Sequence, residues 1–193
     1  MRLFSFRPSL SVRGRKPKGL RGLAGKPLHP PLTDVPVGAY ILAAAFDVIS
    51  FLGDGEPWAR ELYRAGTFVL AGGLLVAVLA AITGVADWVG STSKGTQAWR
   101  TVNAHAATMA ALTVLVVVEL VLRAGTYGAA AATPGIVLAL TLVVAGLTAL
   151  GGTIGGSLVY DYGFNVETAG DSPVWHPSER DVLPADKGDG AAH

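Results

Sequence analysis

Cysteine is absent from this chain of 193 residues. Disulfides, thiolate zinc sites, cysteine-ligated iron–sulfur clusters and cysteine nucleophiles are therefore excluded. Charge is scarce as well, at 15% of residues against 51% hydrophobic. Acidic residues do not occur before Asp34, whereas Arg2, Arg7, Arg13, Arg15, Lys16, Lys18, Arg21 and Lys26 all precede it. The mean hydropathy of +0.46 is that of a membrane protein. No hydrolase triad, phosphate loop or zinc-protease helix is present, and no surface suited to nucleic acid; the basic leader suits anionic lipid.

Crossing about 30 Å of hydrocarbon takes roughly 20 apolar residues. Four stretches with little or no charge qualify, at about 35–53, 67–89, 102–122 and 134–160. Short connections make neighbouring helices antiparallel. The expected fold is all-α, an integral membrane four-helix bundle with polar tails. It divides into a basic arm (1–26), a transmembrane domain (27–167) and a polar tail (168–193). Thr33 and Asp34 are expected to cap the first helix with Pro36 in its first turn, and Pro134 opens the fourth. Gly90 and Gly125 are expected just past the ends of the second and third. The basic leader places the N-terminus in the cytoplasm, and four crossings return the C-terminus to that side. The leader also has the composition of an organellar transit peptide, but it lacks the apolar core of a secretory signal. In the acidic tail, His176 and His193 are expected to be solvated.

With this topology the unusual polar residues gather at one membrane level. His29 and Asp34 stand at the start of the first helix, Asp87 and Trp88 at the end of the second. Asn103 and His105 begin the third, and Tyr160 and Asp161 close the fourth. Ionisable groups in a membrane bundle usually face inward and serve function. The two histidines are the sharpest candidates, because neutral imidazole ligates haem and metals and bundles hold cofactors between facing side chains. His29 is expected outside the helix, in a proline-rich segment, and a structural role for it stands beside ligation. A haem b site is one reading and a quinone site another; no separate metal site is assigned.

Two acids lie deeper. Asp47 sits about 18 Å into the first helix at 1.5 Å per residue, with no basic residue near it in sequence. Its carboxyl is expected to be protonated or hydrogen-bonded across the bundle. Glu119 has Arg123 four residues on and is expected to form a snorkelling ion pair with it. Together, Asp47 and Glu119 mark a possible proton or ion pathway. Small residues at helical spacing predict close packing: Gly73, Ala77, Ala80, Gly84 and Asp87 on the second helix, and Thr141, Ala145, Thr148, Gly152 and Gly155 on the fourth. The GGTIGG segment holds two overlapping pairs, Gly151 with Gly155 and Gly152 with Gly156. His105, Met109, Leu112, Val116, Glu119 and Arg123 share one face of the third.

The segments LHPPLTDVPVGAY, GVADWVG, NAHAAT and GGTIGGSLVYDYGFNVE together resemble the bacterial four-helix membrane proteins of domain of unknown function 2231, over about residues 25–167. The family's opening motif matches His29, Pro30, Leu32, Thr33, Asp34, Pro36 and Gly38. Its later motifs match Asp87 with Trp88, then His105, then Gly155, Gly156, Leu158, Val159, Tyr160, Gly163 and Val166. Where relatives carry a further histidine, this chain has Tyr162. The resemblance implies a multi-pass protein of the plasma membrane and no defined activity. Association of relatives with Rieske-type iron–sulfur domains implies an electron-transfer partner on a separate chain. A redox-associated subunit is thus the first expectation. A non-catalytic scaffold or docking subunit is the second, and a small proton or ion pathway the third.

Overall fold

A computed structural model describes residues 3–5, 7–12, 19–166, 177, 179 and 181. The expectations for His176, His193 and most of the basic leader and acidic tail fall outside the described residues. A single helical turn, α1 (Arg7–Leu10), and a 3-10 turn at Leu23–Gly25 precede four long helices. These are α2 (His29–Leu52), α3 (Pro57–Ser91), α4 (Gln97–Thr126) and α5 (Gly135–Tyr160). All four are long and apolar enough to cross a membrane. Among the described residues no strand forms; one isolated bridge joins Arg21 and Pro27.

α2, α3 and α4 overrun the apolar stretches that announce them, because a helix ends where its backbone turns and not where its hydropathy falls, whereas α5 keeps to its stretch. The first begins at His29, not near residue 35. Pro30 and Pro31 occupy its first turn, where amide hydrogens have no intrahelical partner and a fixed φ near −65° already suits the helix. Pro36, expected in the first turn, lies inside the helix and is buried. The Thr33 hydroxyl, expected as a cap, donates instead to the Pro30 carbonyl at 2.7 Å, one turn back. Gly90 and Gly125 fall inside α3 and α4, a position that costs about 1 kcal/mol each relative to alanine. The turns use other glycines: Gly55 at φ +96° and Gly95 at φ +85°, a region disfavoured for residues with a side chain. At the start of α4, Thr96 caps by accepting from the Trp99 amide at 3.1 Å.

The bundle is two antiparallel hairpins, α2 with α3 and α4 with α5. They join mainly where α2 meets α5, while α3 and α4 meet over a smaller contact. Tyr40, Ala43, Leu70, Leu112, Val116 and Val144 form the central apolar layer, drawn from all four helices. Leu75, Ile82, Val114, Val121, Ile136 and Leu150 point outward and are exposed, as a lipid-facing surface requires.

Lipid tails are as apolar as leucine, so apolar burial does not drive spanning helices together; close packing and polar contacts do. Gly73 supplies such packing. A β-carbon there would come within 2.8 Å of Ala39 Cβ and 2.9 Å of Tyr40 Cε1. On α5 the inward face carries Thr141, Val144, Thr148, Gly151 and Leu158. Of the two expected pairs, only Gly151 and Gly155 look into the bundle, whereas Gly152 is exposed with open space around it. Thr141 and Thr148 keep their expected inward positions, and Val144 and Gly151 complete that face in place of Ala145 and Gly152. We expect Gly73→Leu to destabilise the bundle by about 1–3 kcal/mol through overpacking. Gly72→Leu, with nothing within 4 Å of its added β-carbon, serves as the neutral neighbour. Thermal unfolding of both variants in one detergent checks the contrast.

Candidate functional site

Two polar centres sit at opposite ends of the bundle, separated by the apolar layer. The first lies at the end that carries the α3–α4 turn. His29 is the first residue of α2, so the expectation that it lies outside the helix is corrected; prolines at the next two positions allow the helix to begin there. Its Nδ1–H donates to the Ala80 carbonyl of α3 at 2.8 Å. A β-carbon on Gly84 would stand 2.8 Å from the imidazole Cε1, so the ring rests where that side chain would have been. His105 repeats the arrangement in the other hairpin. Its Nδ1–H donates to the Gly151 carbonyl of α5 at 3.1 Å, and its Cε1 would meet a Gly155 β-carbon at 3.1 Å.

In each case the glycine lies four residues after the accepting carbonyl, on the same helical row. The missing side chain bares that carbonyl to an imidazole from the neighbouring helix. Because a carbonyl only accepts, Nδ1 must carry the hydrogen, and the neutral ring then presents a lone pair at Nε2. Neither Nε2 has a hydrogen-bond partner among the described residues, and the two rings lie within electrostatic range of each other. A tied Nδ1–H with a free Nε2 is how histidine is presented to a metal or haem iron.

Around these rings the other expected residues divide. Asp87 is nearly buried, within electrostatic range of His29 and Arg21 and close to the Asn165 side chain, and its Oδ1 has no hydrogen-bond partner. Asn165 accepts from the Ser91 hydroxyl at 2.8 Å, tying the segment after α5 to the end of α3. Gly19, at φ +64°, lies against Asp87: an added β-carbon would be 1.9 Å from Asp87 Oδ1. The segment before α2 thus folds across this end, where Leu28 donates to the Leu20 carbonyl at 3.1 Å. Trp88 is half-buried. Asn103 is half-buried too, and its Oδ1 has no partner. Asp34 and Asp161 are exposed, and Tyr160 is 88% exposed. These three lie away from the pair of imidazoles, because their positions on α2 and at the end of α5 face outward. Tyr162 instead turns to α4, its hydroxyl accepting from Gln97 at 2.9 Å.

The second centre lies toward the two hairpin connections and is fully buried. Asp47, Glu119 and Arg123 each have 0% exposure. The snorkelling pair expected of Glu119 and Arg123 is therefore corrected: the guanidinium turns inward because Asp47 waits there. Arg123 Nε and Nη2 donate to Glu119 Oε1 at 2.9 and 2.7 Å, and Nη2 also donates to Asp47. Its Nη1 donates to Thr67 at 3.1 Å and to the Tyr63 carbonyl at 3.4 Å, and its plane lies 5.2 Å from the Tyr63 ring centroid. Thr133, in the α4–α5 connection, donates from its hydroxyl to Asp47 Oδ1 at 3.1 Å and from its amide to Ser50 at 2.9 Å. Arg123 as the hub, with Thr133 and Thr141, was not legible in the sequence. Its one signal is the spacing of Glu119 and Arg123, which by itself suggests a snorkelling pair.

The fold and its apolar exterior define a multi-pass membrane protein built as a four-helix bundle. The family model described as predicted membrane protein (DUF2231) matches residues 25–168, and the chain belongs to that family. No curated protein and no solved structure matches it.

Arg123 is the sole cation of its cluster among the described residues. Removing one partner of a buried ion group typically costs about 3–5 kcal/mol, whereas replacing the whole group with apolar residues is near neutral or stabilising. Arg123→Met is expected to fall in that range. The combined variant Asp47→Leu, Glu119→Met, Arg123→Met is expected to regain most of the loss, as read by thermal unfolding in detergent.

Proposed function

We propose that the chain is a redox-associated subunit of the bacterial plasma membrane that binds haem b through His29 and His105. The observation that supports this reading is the repeated imidazole geometry: two rings from two hairpins, each with Nδ1–H tied to a bared helix carbonyl and Nε2 left with a lone pair. Haem iron takes imidazole nitrogen at its axial positions and exchanges single electrons. The chain's part is to fix both tautomers and both ring planes before any ligand arrives, so that little orientational freedom is lost on binding. Asp87, Arg21 and Asn165 supply the polar rim. A quinol hydroxyl would also suit an Nε2 lone pair, and quinone is the second ligand of the same class. With no cysteine among these residues, an iron–sulfur partner would bring its own cluster ligands. The basic leader would rest on anionic headgroups on the cytoplasmic side.

A second reading has support of its own. Each Nδ1–H bond links two helices, so the same pair of imidazoles would lock the bundle of a non-catalytic scaffold that docks partners. The visible spectrum of protein purified in mild detergent from haem-replete cells, oxidised and then dithionite-reduced, separates the two. We expect a Soret band with sharp reduced bands, lost in His29→Ala and in His105→Ala. A featureless spectrum from folded wild-type protein would overturn haem binding. In that case, variants that only melt earlier would favour the scaffold.

A further inference from the structure

At the other end of the bundle, hydrogens can be counted. The Val137 carbonyl, which can only accept, stands 2.9 Å from the Thr141 hydroxyl, and that hydroxyl oxygen lies 2.6 Å from Asp47 Oδ2 and 2.7 Å from Glu119 Oε1. Both separations are those of O–H···O hydrogen bonds, and each such bond needs a hydrogen between its oxygens. A threonine hydroxyl owns one. All five Arg123 hydrogens are directed along its own contacts, to Glu119, Asp47, Thr67 and the Tyr63 carbonyl, with Nη2 also 3.2 Å from Thr141. At least one further hydrogen must therefore sit on a carboxyl group, wherever the threonine's own hydrogen points.

Charge gives the same result independently. Two carboxylates face one guanidinium, all at 0% exposure, which leaves one negative charge uncompensated if both acids are ionised. Glu119 Oε2 is buried with no donor at all, a place where full anionic charge is least supported. Among the described residues no other charged group repairs the balance. On α3, Arg60 is directed to the Gly128 carbonyl, Arg64 to Glu61 and the Tyr127 ring, and the Tyr63 hydroxyl to Thr126. The α4–α5 connection contributes Thr133, and α5 contributes Thr141.

We infer that Asp47 and Glu119 together bind one proton, bridged by the Thr141 hydroxyl, so that the Asp47–Glu119–Arg123 cluster is an intramembrane proton-binding site. In one arrangement Glu119 Oε1–H donates to Thr141 Oγ1, whose own hydrogen is donated to Asp47 Oδ2. In the other, Asp47 Oδ2–H donates to Thr141 and Thr141 to Glu119. Passing between them breaks two O–H bonds, makes two, and leaves the total charge unchanged. The proton then belongs to neither residue alone.

The experiment is infrared difference spectroscopy of the full chain in lipid vesicles at neutral pH, in H2O and in D2O. We expect the C=O stretch of a protonated carboxylic acid in the wild-type protein, moving down on deuteration. Because the proton balances the cluster's charge, either Asp47→Asn or Glu119→Gln removes the need for it, and the band is lost in both near-isosteric variants. Asp87→Asn, at the far end, keeps it. Absence of the band in the wild type, its survival in both variants, or its loss in only one would overturn the shared proton. Thr141→Val keeps the band but moves it up, since the carboxyl loses its bridge; an unmoved band would overturn the role given to Thr141.

Discussion

A guanidinium buried at zero exposure between spanning helices is the constraint on which the packing of this bundle depends. Arg123 leaves α4 and meets Asp47 of α2, Tyr63 and Thr67 of α3, and Glu119 one turn back on its own helix. Thr141 of α5 joins through both acids. All four helices therefore meet around one side chain, and its contacts fix their relative depth and rotation. The apolar layer next to it, from Tyr40 to Val144, fits because that register is already set. In lipid, where apolar contacts discriminate weakly among registers, a buried charge is the group least tolerant of a misplaced helix.

The opposite end is organised by absence of side chains. Gly84 and Gly155 have no Cβ, and that removal opens a carbonyl four residues back to an imidazole from the partner helix of each hairpin. The result is two hairpins with the same device at the same level. Each histidine is rigid because its own ring hydrogen is already committed. Rigid presentation serves a ligand and a helix clamp alike, and for that reason spectroscopy, not geometry, separates the two readings.

Much of this was written in the sequence in a form that simple periodicity reads. Four apolar stretches gave four helices, and His105, Leu112, Val116, Glu119 and Arg123 fall on one face as their spacing requires. Spacing within a helix, however, carries no depth relative to its neighbours. Glu119 and Arg123 look like a snorkelling pair until Asp47, on another helix, is known to lie opposite. That α5 turns Gly151 inward and Gly152 outward is likewise invisible, because both glycines fit a small-residue rhythm. Helix starts were misplaced for a local reason: the prolines of HPPLTDVP look like a linker, yet in a first turn they favour helix.

The two polar centres are separated by the apolar layer, and the side chain that interrupts it is Tyr40. Its hydroxyl is buried without a hydrogen-bond partner, on the same helix that carries His29 at one end and Asp47 toward the other. An unpaired buried hydroxyl costs on the order of 1–3 kcal/mol relative to one that is satisfied. Phenylalanine would fill the same space without that cost, so packing alone does not account for a tyrosine here. A polar atom midway along α2, between a pair of imidazoles and a pair of acids, gives the layer its one break on that helix. Any coupling between the two ends along α2 has to pass that hydroxyl or go around it.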